Sequence, residues 1–335
     1  MWNFPLEPPK ASEYALQHDP LFYTISLLTA FFTIVVFAIV IFFAIRYREG
    51  SKASRANLSH ENLRVEILWS VPPLGLAFLI FLWSTKLYVD NRKPPQDAME
   101  IFVIGKQWMW HVQHANGVRE NNELHVPVGV PIKFTMVSQD VIHAFYIPAF
   151  RMQYHVVPGR YTVQYATPNL PGKYPLFCTM HCGTQHSEMG GYVTVMPQAE
   201  FAKWLANGGS AQVPAKMTMA QMGEKIFKDK GCGNCHGGQD TDQGPTLDGV
   251  YGQQRKMASG QTVLADDTYM RESILDPYRL VTSGYRDTMP ADYKEYLAEE
   301  DVLNLLAYMK TLGGKTSETK TVTRTEGNAT MRGTN

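Results

Sequence analysis

Two long apolar runs open the chain, and short alternating ones follow. From Leu21 to Ile45 the text reads LFYTISLLTAFFTIVVFAIVIFFAI, without one charged side chain, which is long enough to cross a bilayer as a helix. A second run, ILWSVPPLGLAFLIFLWST from Ile67 to Thr85, is near the minimum spanning length, and Glu66 and Lys86 bracket it where charges reach the interface. The pattern predicts a hairpin of two transmembrane helices, over about 21–46 and 65–89, within an N-terminal segment 1–98. Arg46, Arg48, Lys52, Arg55 and Arg64 lie in the connection, whereas Lys10 stands alone before the first run. This bias places the connection in the cytoplasm and everything after Val89 outside. The first run follows the acidic, proline-bearing MWNFPLEPPKASEYALQHDP instead of a basic leader, so it reads as a retained span and not as a cleaved signal peptide.

From about residue 99 to 197 the period changes to two. IFVIG, IKFTMV, HAFYIP, YTVQYA and GYVTVM are strand-like, and turn signals recur at Pro127, Pro131, Pro148, Pro158 with Gly159, and Pro171 with Gly172. That spacing, with no helical period between, predicts an all-β sandwich. Residues 198–216 hold a turn or two of helix and a Gly/Ser/Pro break, and read as a linker. A third unit, 217–313, begins with a helical pattern in TMAQMGEKIFKDKGCGNCH and ends with one in YLAEEDVLNLLAYMKTLGG, which predicts a small α domain. The polar, Thr-rich remainder, 314–335, has no periodicity and is expected to be disordered.

Composition narrows the class. Lys plus Arg and Asp plus Glu both number 31, so the net charge is zero and no basic footprint for nucleic acid is present. A mean hydropathy of -0.22 makes the membrane part a minority of the chain. Only four cysteines occur, in two short stretches, FCTMHCGTQHSEMGGY from Phe177 to Tyr192 and GCGNCHGG from Gly231 to Gly238.

Cys232, Cys235 and His236 form C-x-x-C-H, the spacing at which two thiols bond to a haem's vinyl groups while the next residue ligates iron. A redox disulfide or half of a zinc site would use the same pair. However, no thioredoxin-like βαβ pattern surrounds it, and no second cysteine pair is left for zinc. A sixth ligand suited to electron transfer is methionine. Met289, in the loop GYRDTMPAD, is the candidate; Met257 is the fallback, and Met270 and Met309 sit in helical text. This unit resembles class I cytochromes c, whose axial methionine commonly precedes a proline. The resemblance implies that GPTL, Gly244 to Leu247, is the loop in which the Pro245 carbonyl orients His236.

The other stretch offers thiolates, imidazole and thioether, ligands that suit copper. Two cysteines four apart, with His186 and Met189 beyond, allow two bridging thiolates for a pair of copper ions, and they equally allow a disulfide within the loop. A second imidazole has to come from elsewhere in the fold.

The loop is similar to the binuclear CuA site of cytochrome c oxidase subunit II. That resemblance implies a cupredoxin-like Greek-key β-sandwich in which Cys178 and Cys182 bridge the metals, His143 of DVIHAF and His186 cap one copper each, Met189 is a weak axial ligand and the Met180 carbonyl supplies the last contact. The family usually has glutamate at the Met180 position, where its carboxylate reaches magnesium; a thioether is a poor ligand for that ion. The resemblance also places Trp108 of GKQWMWHVQ where electrons enter and Glu66 at the cytoplasmic mouth of a proton pathway, although a core aromatic and an interfacial charge are equally consistent readings by position. Fusions of subunit II with a cytochrome c occur in the caa-type haem-copper oxidases of bacteria. The implied function is electron input from an external cytochrome or other redox donor through haem c and CuA to subunit I, which with other membrane subunits reduces oxygen to water and pumps protons. The implied location is the bacterial inner membrane, with the C-terminal domains on its outer side. A metal-free quinol oxidase subunit, a nitric oxide reductase subunit bearing CuA, and a membrane-tethered copper or redox protein without an oxidase partner are the rival readings.

Overall fold

A computed structural model describes residues 7–54, 61–209, 217–241 and 243–312. Arg55 of the hairpin connection, residues 210–216 of the expected linker and the tail 314–335 lie outside the described residues. The chain divides into two compact units, residues 1–218 and 219–335.

In the first unit, α1 (Glu13–Arg46) and α2 (Leu63–Asp90) are the two apolar helices, and neither apolar stretch is buried by the rest of the protein. Helix α1 starts well before the apolar run. Ser12 caps it by accepting from the Ala15 N–H, and its own hydroxyl donates to the Phe150 carbonyl at 2.9 Å. Asp19, in this early polar stretch, receives both arms of Arg151 at 2.9 Å each. The stretch before the apolar run is thus helical because it docks on the β-domain, a cause that a hydropathy pattern does not register. Pro20 falls within α1, and Pro72 with Pro73 within α2, without ending either helix.

Ten strands follow: β1 (Met99–Lys106), β2 (Met109–His114), β3 (Arg119–Asn121), β4 (Glu123–Pro127), β5 (Ile132–Ser138), β6 (His143–Ile147), β7 (Met152–Val156), β8 (Thr162–Ala166), β9 (Gly172–Cys178) and β10 (Gly190–Met196). They form two five-stranded sheets in the orders β3-β2-β1-β5-β8 and β4-β10-β9-β6-β7. The β1–β5 and β10–β4 pairs are parallel and the others antiparallel, so the chain crosses between the sheets repeatedly. Alternating inward residues fill the space between them: Ile101, Val103, Trp110, Phe134, Phe145 and Leu176 are all fully buried. This is the cupredoxin-like sandwich expected from the sequence.

The expected linker is in part something else. Helix α3 (Gln198–Ala206) lies on the sandwich, with Phe201 buried and Trp204 stacked on His125 at 4.5 Å between ring centroids. Beneath it sits a cluster of one carboxylate and two histidines. Buried Glu120 accepts from His114 Nε2 at 2.9 Å, from the His125 ring and from the His125 backbone N–H at 3.0 Å. The aromatic residues of α3 cover these polar groups, which is why the segment folds onto the domain.

The second unit contains α4 (Met219–Asp229), α5 (Gly233–His236), α6 (Asp267–Leu275), α7 (Tyr293–Tyr296) and α8 (Glu299–Thr311), with a ribbon of β11 (Gln254–Lys256) and β12 (Thr262–Leu264). It is helical as expected, apart from that ribbon. Helices α4 and α8 cross so closely that a Cβ on Gly223 would stand 1.9 Å from the Asn304 carbonyl oxygen, so only glycine fits at the crossing.

Burial pushes the Glu120 carboxyl up, but the His114 and His125 hydrogen bonds outweigh it and hold the pKa at about 2, below its ordinary 4.5. A depressed native value stabilises the fold above pH 4.5, and that contribution fades as the pH falls from 4.5 towards 2. Glu120→Gln is therefore expected to cost about 1–3 kcal/mol at pH 7 and much less at pH 3. Thermal melting of the full chain in detergent, followed by circular dichroism at both pH values, checks this; equal Tm for the two proteins at pH 7 contradicts it.

Candidate metal and haem centres

The register of two neighbouring strands builds the first centre. In the β6–β9 pair, Phe145 stands opposite Cys178. Side chains alternate along a strand, so His143 shares the face of Phe145 and lies diagonal to Cys178. After Cys178 the chain makes one excursion and returns, closed by the Cys178 N–H donating to the Met189 carbonyl at 3.0 Å. The excursion brings back Cys182 and, in a 3-10 turn over His186–Glu188, His186.

Six groups meet there. The Cys178 and Cys182 sulfurs are 3.8 Å apart and unbonded, since all four cysteines of the chain are free. His143 Nδ1 is 3.9 Å from Cys178 Sγ, and His186 Nδ1 is 3.3 Å from Cys182 Sγ. Met189 Sδ stands 3.7 Å from Cys182 Sγ, and the Met180 carbonyl oxygen is 3.3 Å from Cys178 Sγ. His143, Cys178, Cys182 and Met189 are buried, while His186 and Met180 are half-buried.

Electrostatics shows what this arrangement lacks. Burial raises both thiols; at Cys178 the bond with His143 reverses that and leaves the pKa lowered, whereas Cys182, buried beside Cys178, is pushed up to about 11. Two adjacent thiolates thus require positive charge between them. Soft sulfur and imidazole donors facing one point form a set that fits copper, and nothing in the geometry uses the sulfurs for a disulfide.

A supporting layer holds the histidine. His143 Nε2 is 2.8 Å from Asp140 Oδ1, which fixes Nδ1 towards the sulfurs. Burial raises the Asp140 carboxyl, but the Gln107 N–H, the His143 ring and the Val141 N–H together hold it below its ordinary value. Gly105 leaves room for the ring, because a Cβ there would stand 2.9 Å from His143 Cδ2. Trp110 packs edge-on against His143, with centroids 5.9 Å apart. Trp108, half-buried, donates its indole N–H to the Cys182 carbonyl at 3.2 Å, as the Gln107 amide does at 2.8 Å. Sequence reasoning missed Asp140 and Gln107. The only available signal for the former was an acid three residues before His143. Glu66 is elsewhere, exposed in the first turn of α2.

The second centre lies within the other unit. Cys232, Cys235 and His236 lie in and beside the single turn of α5; Cys232 and His236 line a cleft of about 1060 Å³, including its open mouth, together with Pro245, Tyr269, Leu280 and Met289, and Cys235 Sγ is 3.2 Å from Oε1 of Gln243, another lining residue. His236 Nδ1 is 2.8 Å from the Pro245 carbonyl oxygen, so Nε2 remains available to a metal. Met270 and Met309 reach the same cleft from α6 and α8 and are buried. Met257 is buried as well, but does not line it. A mostly apolar cleft with one free thiol at its wall, a second one turn away and an imidazole with an open nitrogen fits a covalently attached porphyrin.

Comparisons with known proteins find matches to both units. The family described as cytochrome C oxidase subunit II, periplasmic domain, matches residues 115–196, and the cytochrome c family matches residues 220–313. Cytochrome c oxidase subunit 2 of Alkalihalophilus pseudofirmus is 28% identical over 315 residues, which cover 91% of this chain and 89% of that one. Cytochrome bo(3) ubiquinol oxidase subunit 2 of Buchnera aphidicola subsp. Baizongia pistaciae is 31% identical over 175 residues, 49% of this chain and 61% of its own. The crystal structure of the periplasmic domain of cytochrome oxidase subunit II of Bradyrhizobium japonicum is 27% identical, with a TM-score of 0.33, and covers 35% of this chain and 96% of that one. Two apolar helices, a sandwich with a copper-type donor set that matches the periplasmic domain of cytochrome c oxidase subunit II, and a helical unit with a C-x-x-C-H cleft that matches cytochrome c therefore occur in one chain.

Proposed function

We propose that this chain is the electron-input subunit of a proton-pumping terminal oxidase, that it accepts electrons from an external redox donor in its cytochrome domain, 217–313, and delivers them from its β-domain, 99–197, to subunit I, where oxygen is reduced to water. When bound, a haem c and a two-copper CuA centre supply the one-electron chemistry. The observation that carries the reading is the convergence of two unbonded sulfurs and two imidazoles: successive members of the series His143, Cys178, Cys182 and His186 stand 3.9, 3.8 and 3.3 Å apart.

On this reading Cys178, Cys182, His143 and His186 would hold the copper, with Met189 and the Met180 carbonyl as weaker donors. Asp140 keeps the His143 tautomer and ring orientation fixed, so the donor set changes little when an electron arrives or leaves. Trp108, hydrogen-bonded to the backbone of Cys182, is the candidate for the point where electrons enter the loop. Cys232 and Cys235 would hold the porphyrin, and His236 and Met289 would ligate its iron. Glu66, in the first turn of α2, is the candidate for the mouth of a proton pathway in subunit I. The hairpin crosses the inner membrane twice and packs on that subunit. The similarity to a ubiquinol oxidase subunit favours a second reading as a metal-free module, against which stands the full set of ligand side chains.

Cys182→Ser in the complete oxidase is expected to abolish the mixed-valence copper signal in EPR and lower donor oxidation at least about hundredfold, with the haem c spectrum unchanged. Retention of the copper signal contradicts the bridging role. Met289→Ala is expected to remove the thioether-to-iron charge-transfer band and lower the haem potential on the order of 0.1 V in a redox titration. An unchanged spectrum would transfer the axial role to Met270 or Met309, which line the same cleft.

A further inference from the structure

Apart from either redox centre, a second cleft of about 1060 Å³, including its open mouth, lies where the hairpin meets the β-domain. Its walls come from three elements: Tyr14, His18 and Leu21 of α1, a stripe from Phe81 to Arg92 on and just beyond α2, and the strand residues Arg151 to Tyr154. Both helices grade from apolar to polar in the same spatial direction. Helix α1 descends into its apolar run from Tyr14 to Leu21, and α2 rises out of its own from Phe81 through Ser84 and Tyr88 to Arg92. At 1.5 Å per residue each gradient spans roughly 10–16 Å, about the depth over which a bilayer passes from acyl chain to headgroup. Three tyrosines, Tyr14, Tyr88 and Tyr154, stand at this level, as aromatic side chains do at a membrane surface.

The charges at the mouth are unequal. Arg151 is neutralised by its two bonds to Asp19, and Asp90 is taken by Lys86. Arg92 pairs with no carboxylate among the described residues. Its guanidinium lies over the Tyr88 ring at 4.8 Å and the Tyr154 ring at 4.4 Å, and it donates to the Tyr154 hydroxyl. Two aromatic faces therefore hold a planar cation in place at the rim of a cleft whose mixed lining includes the apolar Leu21, Phe81, Leu87 and Met152. Guanidinium matches phosphate oxygens bidentately.

We propose that this cleft binds one phospholipid, with its phosphodiester on Arg92 and its acyl chains running down past Leu21 and Phe81. The ligand class follows from the pairing of one fixed cation with a polar-to-apolar gradient; a protein side chain filling the space would have to bring its own carboxylate to Arg92. The site is independent of copper and haem.

The test uses the complete oxidase, purified in detergent, stripped of loosely held lipid and supplied with phosphatidylglycerol, phosphatidylethanolamine or inorganic phosphate. Native mass spectrometry is expected to show one tightly held phospholipid fewer in Arg92→Gln than in the parent, and about tenfold weaker phosphatidylglycerol binding. Lys93→Gln, a neighbouring charge removed, should leave both unchanged, and Arg92→Lys should restore part of the affinity. Inorganic phosphate in large excess should not displace the lipid, because it lacks the acyl chains. Equal lipid counts in Arg92→Gln and the parent would overturn the proposal, as would full displacement by phosphate, which would make this a plain anion site. Absence of any bound lipid in the parent, with Arg92 cross-linking to a carboxylate of another subunit, would assign the cleft to a protein contact instead.

Discussion

Two sulfurs held 3.8 Å apart in a buried loop cannot both carry negative charge without a cation between them. The second ionisation is opposed by desolvation and by the first, which is why the Cys182 thiol is pushed up to about 11. The rest of the β-domain can be understood as the scaffold that imposes this separation. Strand β6 brings His143 beside Cys178, the return into β10 fixes Met189, and the Cys178 N–H to Met189 carbonyl bond closes the loop so that neither sulfur can move away. A frame that forces unfavourable proximity on its thiols favours a soft cation between them.

The same separation of labour holds in the cytochrome domain. Gly223 lets α4 and α8 meet at backbone contact, and the cleft opens between this crossing and the loops that carry Pro245 and Met289. Packing sets the cavity, and short loops carry the chemistry. In both domains a single hydrogen bond to the outer imidazole nitrogen fixes which nitrogen is offered: Asp140 does this for His143 and the Pro245 carbonyl for His236.

Much of this was legible in the sequence because it rests on local pattern. The apolar runs of α1 and α2, five of the ten strands, the terminal helices α4 and α8 and the C-x-x-C-H spacing are all short-range signals. What escaped depended on distant partners. Helix α1 begins at Glu13 because Ser12 and Asp19 find Phe150 and Arg151, more than a hundred residues away. Helix α3 docks because Trp204 meets His125, and the Glu120 cluster forms because three strands and turns converge. Asp140, adjacent in text to a singled-out histidine, was overlooked because its role appears only when the ring orientation is known. Strand β7 and the Arg92 stack were likewise invisible, since neither alternates cleanly nor matches a motif.

The central claim is that one loop binds two metal ions through both of its cysteines. The most direct measurement is metal content per chain, with EPR, on the complete oxidase isolated from membranes grown with ample copper. The account predicts two coppers beyond those of subunit I and one covalently bound haem in this chain, with a single unpaired electron shared over both coppers. One copper or none, or a mass spectrum with Cys178 joined to Cys182, would contradict it.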